Sequence, residues 1–594
     1  MAVSVNLLEK IRAGIIGERA MIPTTFGDKP LVYADYTASG RSLSIVEDYI
    51  RDQVLPYYAN THTETSFTGA QTTALREQAR DIIRDAVKAG EEDCVIFCGP
   101  GATAAINKLI DILNIRLPAD LAKRHDLLEV IPMEDRPLVF VGPYEHHSNE
   151  LPWRESIAQV EVIPLDENGQ IDTNTLEQRL VDVAGSRLII GSFSAASNVT
   201  GIKTNVDKIS ALLHAHGAYS LWDYAAAAPY VGIDMNPVPS ATLGNPSKDA
   251  IFLSPHKFVG GPGTPGVLIV KKRLLNNSVP SVPGGGTVMY VTPEDHRFVA
   301  DPEHREEGGT PAIVESIRAG LVFRLQQQVG TAVIEGLEEG YVRRAMERWS
   351  PNPNIDILGS ADADRLSIFS VRLKHAGKDL HYAFVVALLN DLFGIQARGG
   401  CSCAGPYGHS LLGMDMDYSK ALERELLDGY MVMRPGWVRL NFNYFIDEET
   451  FQYLLGALEL VAEHGWRLLP YYEFAAASGC WRYQGRRMEL VANLDNFLGD
   501  SDEQTGARGA PPEPLAEYLV RAEIELMKHR KDAQQYSLKL PESCEQLRWF
   551  VLPQSVLEDQ AVSHIPPTNV YSAGTQDDIE AGGNTACGLG LKLA

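Results

Sequence analysis

What most constrains this chain is a rhythm in its first half. Between about residues 31 and 270, short apolar runs (CVIFC, PLVFV, SRLIIGSFS, AYSLWDY, DAIFLS, GVLIVKK) alternate with helical patterns such as ATAAINKLIDIL and VDKISALLHAHG. Such alternation marks βαβ units, in which each helix returns the chain to lay the next strand parallel to the last. The fold class that follows is α/β, a large domain with a mostly parallel central sheet covered by helices on both faces. Ligands of such sheets bind at the carboxyl ends of the strands, so the residues that end each run are the ones to read for chemistry.

The rhythm stops at a Gly/Pro-rich passage, SVPSVPGGGTVMYVTPEDHRF. A helical stretch follows around Ile313 to Arg348, and then strand-like LSIFSVRL, FGIQARGG and GWVRLNFNYF surround the helix-like LHYAFVVALLNDLF. These shifts predict an N-terminal segment over 1–30, a large α/β domain over 31–290 and an interdomain helical region over 291–355. A smaller α+β domain over 356–470 and a C-terminal extension over 471–594 complete the chain. The extension mixes GDSDEQTGARGAPPEP and SAGTQDDIEAGGNTACG with one helical pattern, LAEYLVRAEIELMKHRK, and is expected to be partly disordered.

Charge and cysteine content narrow the setting. With 77 Asp and Glu against 53 Lys and Arg, the chain repels phosphate backbones and anionic lipid, so neither nucleic acid nor membrane is expected as a partner. Its 7 cysteines are too sparse for a disulfide scaffold, and MAVSVNLLEKIRAG carries charge where a leader needs an apolar core. No uncharged apolar run reaches the roughly 18 residues of a membrane span. The expectation is a soluble, cytoplasmic protein without a metal site.

Five strand ends carry chemistry-bearing residues. In IFLSPHKFVGGPG a strand runs into Ser254-Pro255-His256-Lys257 and a glycine-rich turn, which can project the Lys257 amine into a cleft. Burial there lowers its pKa and makes it a nucleophile toward an aldehyde, although a lone strand-end lysine is more often a surface residue. In AYSLWDYAAAAP, Asp223 can pair with a protonated pyridine nitrogen or simply cap the next helix. FCGPGATAAINKL places Ala102 and Thr103 at a helix start, a possible phosphate cradle that lacks the third glycine of the dinucleotide fingerprint. VGPYEHHSNELPW offers His146 and His147 as ring-stacking or proton-shuttling groups, and SFSAASNVTG offers Asn198 as a neutral donor or as an ordinary turn residue.

In order and residue type these motifs, with EGGTP and RGGCSCAGP, resemble the class V aminotransferase superfamily of pyridoxal 5'-phosphate (PLP) enzymes of fold type I, and within it the cysteine desulfurases. The resemblance runs from about Tyr33 to Leu468. It implies that Lys257 holds PLP as a Schiff base and moves protons at the substrate Cα. His146 would stack on the pyridine ring, Asp223 would pair with its nitrogen, and Asn198 would lie near the ring oxygen. Ala102, Thr103, Ser254 and His256 match the phosphate cradle, and Thr310 matches a threonine that reaches the phosphate of a neighbouring subunit. A homodimer is implied. One departure is Ala226, which stands where the family commonly has Gln or His.

The reaction is read from GIQARGGCSCAGPYGH. In the desulfurases an Arg-x-Gly-x-x-Cys-Ala run carries the nucleophilic cysteine, and here that position is Cys403, with Cys401 two residues before it. The Cys-x-Cys form is also similar to the desulfurase domain of molybdenum-cofactor sulfurases. The resemblance implies removal of sulfur from L-cysteine or a related amino acid through a Cys403 persulfide, with a possible sulfur-acceptor protein as partner. Arg439 matches the family's ligand for the substrate carboxylate, and Arg398 is a second candidate. An aminotransferase, epimerase or other PLP carbon-sulfur lyase would keep Lys257, Asp223 and Arg439 without needing Cys403. Every motif lies before Ala475, so the cofactor site is expected to survive loss of the extension.

Overall fold

A computed structural model describes residues 5–61, 63–185, 187–487, 494–496, 513–530 and 534–557. Its central sheet contains β1 (Asp93–Phe97), β2 (Leu138–Val141), β3 (Gln159–Val162), β4 (Ile189–Ser194), β5 (Tyr219–Asp223), β6 (Ala250–Leu253) and β7 (Val267–Lys271). The spatial order is β1-β7-β6-β5-β4-β2-β3, with β7 antiparallel to both neighbours and the remaining pairs parallel. Every residue of β1, β2, β4 and β6 is buried, which is why those segments read as unbroken apolar runs. The edge strand β3 escapes the sequence reading because Gln159 and Glu161 interrupt its apolar residues.

Helices α1 (Phe67–Ala86) and α2 (Gly101–Ile112) belong to the large domain. The helical stretch expected around Ile313 to Arg348 is two helices, α3 (Ile313–Val329) and α4 (Thr331–Trp349), broken at Gly330, whose φ of 87° glycine adopts freely. A close approach packs α3 on α1: a Cβ on Gly320 would stand 2.5 Å from Ala79 Cβ.

The smaller unit has an antiparallel sheet of β8 (Ile355–Ile357), β9 (Ile368–His375), β10 (Arg398–Gly400) and β11 (Trp437–Asn441), in the order β8-β9-β11-β10. Helices α5 (Tyr382–Phe393) and α6 (Glu448–His464) pack on it. The chain start is tied to this unit, since Val32–Tyr33 pairs in parallel with Ile395–Gln396.

The described part of the extension is built into this second core. The strands Tyr472–Ala475 and Cys480–Tyr483 form a hairpin, and the helical pattern forms α7 (Leu515–Met527) as its periodicity predicts. Leu515, Tyr518, Leu519, Leu526 and Phe550 are buried in one cluster with Leu388, Leu454 and Leu458. Apart from Glu513 and Pro514, the two Gly/Pro-rich stretches lie outside the described residues. Among the described residues no helix is long and apolar enough to cross a membrane.

Candidate active site

The strand-end residues converge at the carboxyl edge of the central sheet. Asp223 ends β5 and is buried, with Oδ1 accepting a hydrogen bond from Ala225 N–H at 2.8 Å. Burial pushes its carboxyl pKa up, while the Ala225 bond and the nearby Lys257 amine pull it down. Lys257 ends the short helical turn after β6. Burial lowers its amine pKa to about 8, opposed by Asp223 and reinforced by Arg439 and Arg398. Among the described residues its Nζ has no hydrogen-bond partner, so the amine is free to react.

His146 follows β2. Its Nδ1 accepts from Ser148 N–H at 3.1 Å, and burial, aided by Lys257, pushes its pKa down to about 3. The imidazole is thereby held toward its neutral form. The turn that carries it is held by Glu145, which accepts from Asn149 Nδ2 at 2.7 Å and from Ser194 N–H at 2.9 Å. Burial raises the Glu145 pKa to about 7.

At the start of α2, Gly101 has φ of 58°, and a Cβ there would stand 2.9 Å from Ser254 Oγ and 3.6 Å from His256 Nε2. Ser254 Oγ accepts from Ala102 N–H at 2.8 Å, and Thr103 Oγ1 pairs with Ser148 Oγ at 2.7 Å. The N-cap residue itself, Pro100, offers no side-chain cap, and burial drives the His256 pKa down to about 4. A helix N-terminus ringed by hydroxyls suits a phosphate. Thr310 is exposed and accepts from Asn60 Nδ2 at 3.3 Å.

The two arginines share one carboxylate. Arg439 Nη2 donates to Asp35 Oδ1 at 3.0 Å and its Nη1 to Asn198 O at 3.0 Å, while Arg398 Nε donates to Asp35 Oδ2 at 3.1 Å. Arg439 is buried, and Arg398 keeps 49% of its side chain exposed. Arg398 thus keeps an exposed edge, whereas both terminal nitrogens of Arg439 hold a partner and its buried Nε has none.

Cys403 is exposed on the loop after β10, and Ser402 and Cys403 both take left-handed backbone angles, φ of 53° and 57°. The loop is tied to the cofactor side of the site. His147 N–H donates to Cys403 O and Asn198 Nδ2 to Ser402 O, each at 2.8 Å, and Gly405 N–H donates to His147 Nε2 at 2.9 Å. Cys401 is partly buried. Among the described residues no cluster of three or more His, Cys, Asp or Glu side chains could hold a metal.

Three contributors escaped the sequence reading: Asp35, Glu145 and Ser148. Asp35 acts through arginines hundreds of residues away, and Glu145 joins its own turn to Ser194 on β4, which no local pattern reveals. Their only signal is position, an acid just past the short strand Val32–Tyr33 and an acid beside a histidine pair after β2.

The residues present fit PLP. Asn198 Oδ1 is buried without a partner, Asp223 is a buried carboxylate with one backbone bond, Lys257 is unengaged, and the Gly101 cradle excludes a side chain. Ala226 is buried and offers no hydrogen bond to a ring hydroxyl. A parallel sheet with these groups at its carboxyl edge and a second antiparallel unit is the architecture of PLP-dependent transferases of fold type I. A family model, aminotransferase class-V, matches residues 32–449, and the chain belongs to that family of PLP-dependent enzymes.

Similar proteins agree. A "Probable cysteine desulfurase" of Halalkalibacterium halodurans is 28% identical over 381 residues, covering 64% of this chain and 85% of that protein. One from Staphylococcus aureus is 27% identical over 400 residues, 66% of this chain and 87% of its own length. Among solved structures, an apo cysteine desulfurase from Thermococcus onnurineus superposes with a TM-score of 0.60 at 22% identity, covering 78% of this chain and 99% of its own. The cysteine desulfurase CsdA of Escherichia coli, in its S-sulfonic acid form, gives 0.57 at 20% identity, with 77% and 98% covered.

Proposed function

We propose that this chain is a PLP-dependent cysteine desulfurase, taking sulfur from L-cysteine or a related amino acid onto Cys403. The observation that carries the reading is the tether of the thiol loop to the cofactor site: Cys403 O and Ser402 O are hydrogen-bonded by His147 and Asn198, on the loops that flank Lys257 and Asp223. The desulfurase names of its relatives support it.

Lys257 would hold PLP through its amine, His146 would lie against the ring, and Asp223 would keep a proton on the pyridine nitrogen. Ala102, Thr103, Ser254 and His256 would hold the phosphate. Bound PLP supplies an electron sink for charge developing at Cα. Arg398 would take the substrate carboxylate, with Arg439 holding Asp35 and the Asn198 turn in place. Lys257 Nζ would accept and return the Cα proton, for which a pKa near neutrality suits it.

The Cys403 thiolate then attacks the substrate sulfur. An S–S bond forms as the substrate C–S bond breaks, the electron pair stays on carbon, and protonation gives alanine and a Cys403 persulfide. The exposure of Cys403 allows an acceptor protein to collect that sulfur. Thr310, exposed on the surface, suits a homodimer in which it serves the partner's site. The cysteines of the described residues are all free, which suits a cytoplasmic, reducing setting.

The test is an amino-acid screen on PLP-loaded protein with dithiothreitol present to reduce the persulfide, and with sulfide, alanine and keto acid measured together. Equal sulfide and alanine from cysteine are expected. Keto acid without sulfide would replace this reading with an aminotransferase.

A further inference from the structure

The family match ends at residue 449 and leaves the extension outside it. Within the extension, Trp549–Val551 runs beside the start of α5. Asp379 N–H donates to Trp549 O at 3.3 Å and Val551 N–H donates to Asp379 O at 2.9 Å, so this segment adds a parallel bridge to the small domain. The Trp549 Nε1–H donates to Met433 O at 3.0 Å. The indole stacks on His381, with centroids 5.2 Å apart, and lies parallel to Tyr382 at 6.2 Å and an interplanar angle of 1°. His381 is itself fixed, its Nε2 donating to Val432 O at 3.1 Å.

The same Tyr382 ring presses on glycine backbone at the rear of the active site. A Cβ on Gly399 would stand 2.7 Å from Tyr382 Cδ2, and one on Gly436 would stand 3.0 Å from Tyr382 Cδ1. Gly399 and Gly400 pair with Val438 and Trp437 and lead directly into Cys401. The loop beyond them holds Ser402 and Cys403 in left-handed backbone angles, a conformation that side-chain-bearing residues keep only where their surroundings enforce it. A line of neighbours therefore runs from the extension to the thiol loop, from Trp549 to His381 and Tyr382, whose rings stack at 4.6 Å, and on to Gly399.

We infer that Trp549 is a positioning residue for the Cys403 loop. Its indole holds Tyr382 and the Met433 turn from behind, and Tyr382 packs against Gly399 and Gly436, the first of which leads through Gly400 into the loop. Without the indole, Tyr382 gains room to swing away and the loop loses its back wall. The extension is then a working part of the sulfur-transfer site. This inference rests on Cys403 as the sulfur-carrying thiol.

The test uses full-length, PLP-loaded protein and three readouts: iodoacetamide alkylation of each cysteine by peptide mass spectrometry, kcat and KM for cysteine, and the near-visible absorbance of bound PLP. Trp549→Leu keeps apolar volume but removes the flat ring and its N–H. It is expected to speed Cys403 alkylation on the order of tenfold and to lower kcat similarly, because small misplacements of a reacting group are costly. KM, absorbance and the alkylation of Cys94, buried in the central sheet, are expected to stay as in the parent. Trp549→Phe, which keeps a stacking ring, is expected to recover most of the parent behaviour. If Trp549→Leu does not fold, Tyr382→Leu carries the same expectation from the other side of the contact. Should the parent release no sulfide from cysteine, the desulfurase reading falls, while the alkylation comparison still decides whether the brace exists. Unchanged Cys403 alkylation in Trp549→Leu, or a rise only in step with Cys94, would overturn the inference.

Discussion

Lys257 gains its chemistry from what surrounds it. Burial brings its pKa to about 8, so the amine is largely neutral above that pH and protonated below it. Addition of PLP to the apoprotein, followed as growth of the near-visible band, is therefore expected to slow as the pH falls below about 8, and a rate flat from pH 6 to 9 would contradict it. Lys257→Ala should give no band that borohydride abolishes while keeping the parent's far-UV circular dichroism, because the side chain makes no hydrogen bond among the described residues. Asp35 is the converse case, a residue whose weight is structural. Removing it leaves the buried Arg439 cation without its carboxylate, so Asp35→Ala is expected to cost about 3–5 kcal/mol in urea unfolding. A loss under about 1 kcal/mol would place the pair with surface salt bridges instead.

At the scale of elements, the edge of the central sheet shows how acids and arginines replace a missing strand. The free N–H groups of β1 are taken by carboxylates: Val95 donates to Glu303 at 2.6 Å and Phe97 to Glu307 at 2.7 Å. Arg80 on α1 pairs with Glu307 at 3.0 Å. This capping closes an edge that would otherwise invite another chain. Despite burial, Arg80 and Arg76 hold the Glu307 pKa down to about 2 from its ordinary 4.5. A depressed carboxylate stabilises the fold above its unfolded pKa and loses that contribution as the pH falls from about 4.5 toward 2. Urea unfolding across that range should show a steeper loss for the parent than for Glu307→Gln, and parallel curves would show that Glu307 is not ionised in the fold. The strands and the strand-end residues were legible because burial on both faces writes itself as apolar runs and because chemistry sits where those runs stop. Asp35, Glu145 and the Glu307 cluster were not, since each is defined by partners tens to hundreds of residues away. The break at Gly330 was hidden because helix-forming sequence continues on either side of it.

For the whole molecule, the extension changes the picture drawn from motif positions alone. Every motif precedes Ala475, yet Leu515, Tyr518, Leu519, Leu526 and Phe550 fill the second core, from which β10 and β11 carry Arg398 and Arg439 into the site. Burying a large apolar side chain is worth about 1.5–3 kcal/mol, so losing five at once is comparable with the whole stability of an ordinary domain. A chain cut after Ala475 is expected to lose cooperative thermal unfolding, and a melting temperature equal to the parent's would show that the core closes without the extension. The central claim, sulfur carried on Cys403, is tested most directly by mass spectrometry of the Cys403 peptide after PLP-loaded protein meets cysteine, in the parent and in Cys403→Ala. The account predicts one added sulfur on the parent's Cys403, and in Cys403→Ala an intact near-visible PLP band with little alanine released. Alanine and sulfide formed by Cys403→Ala at the parent rate would contradict it.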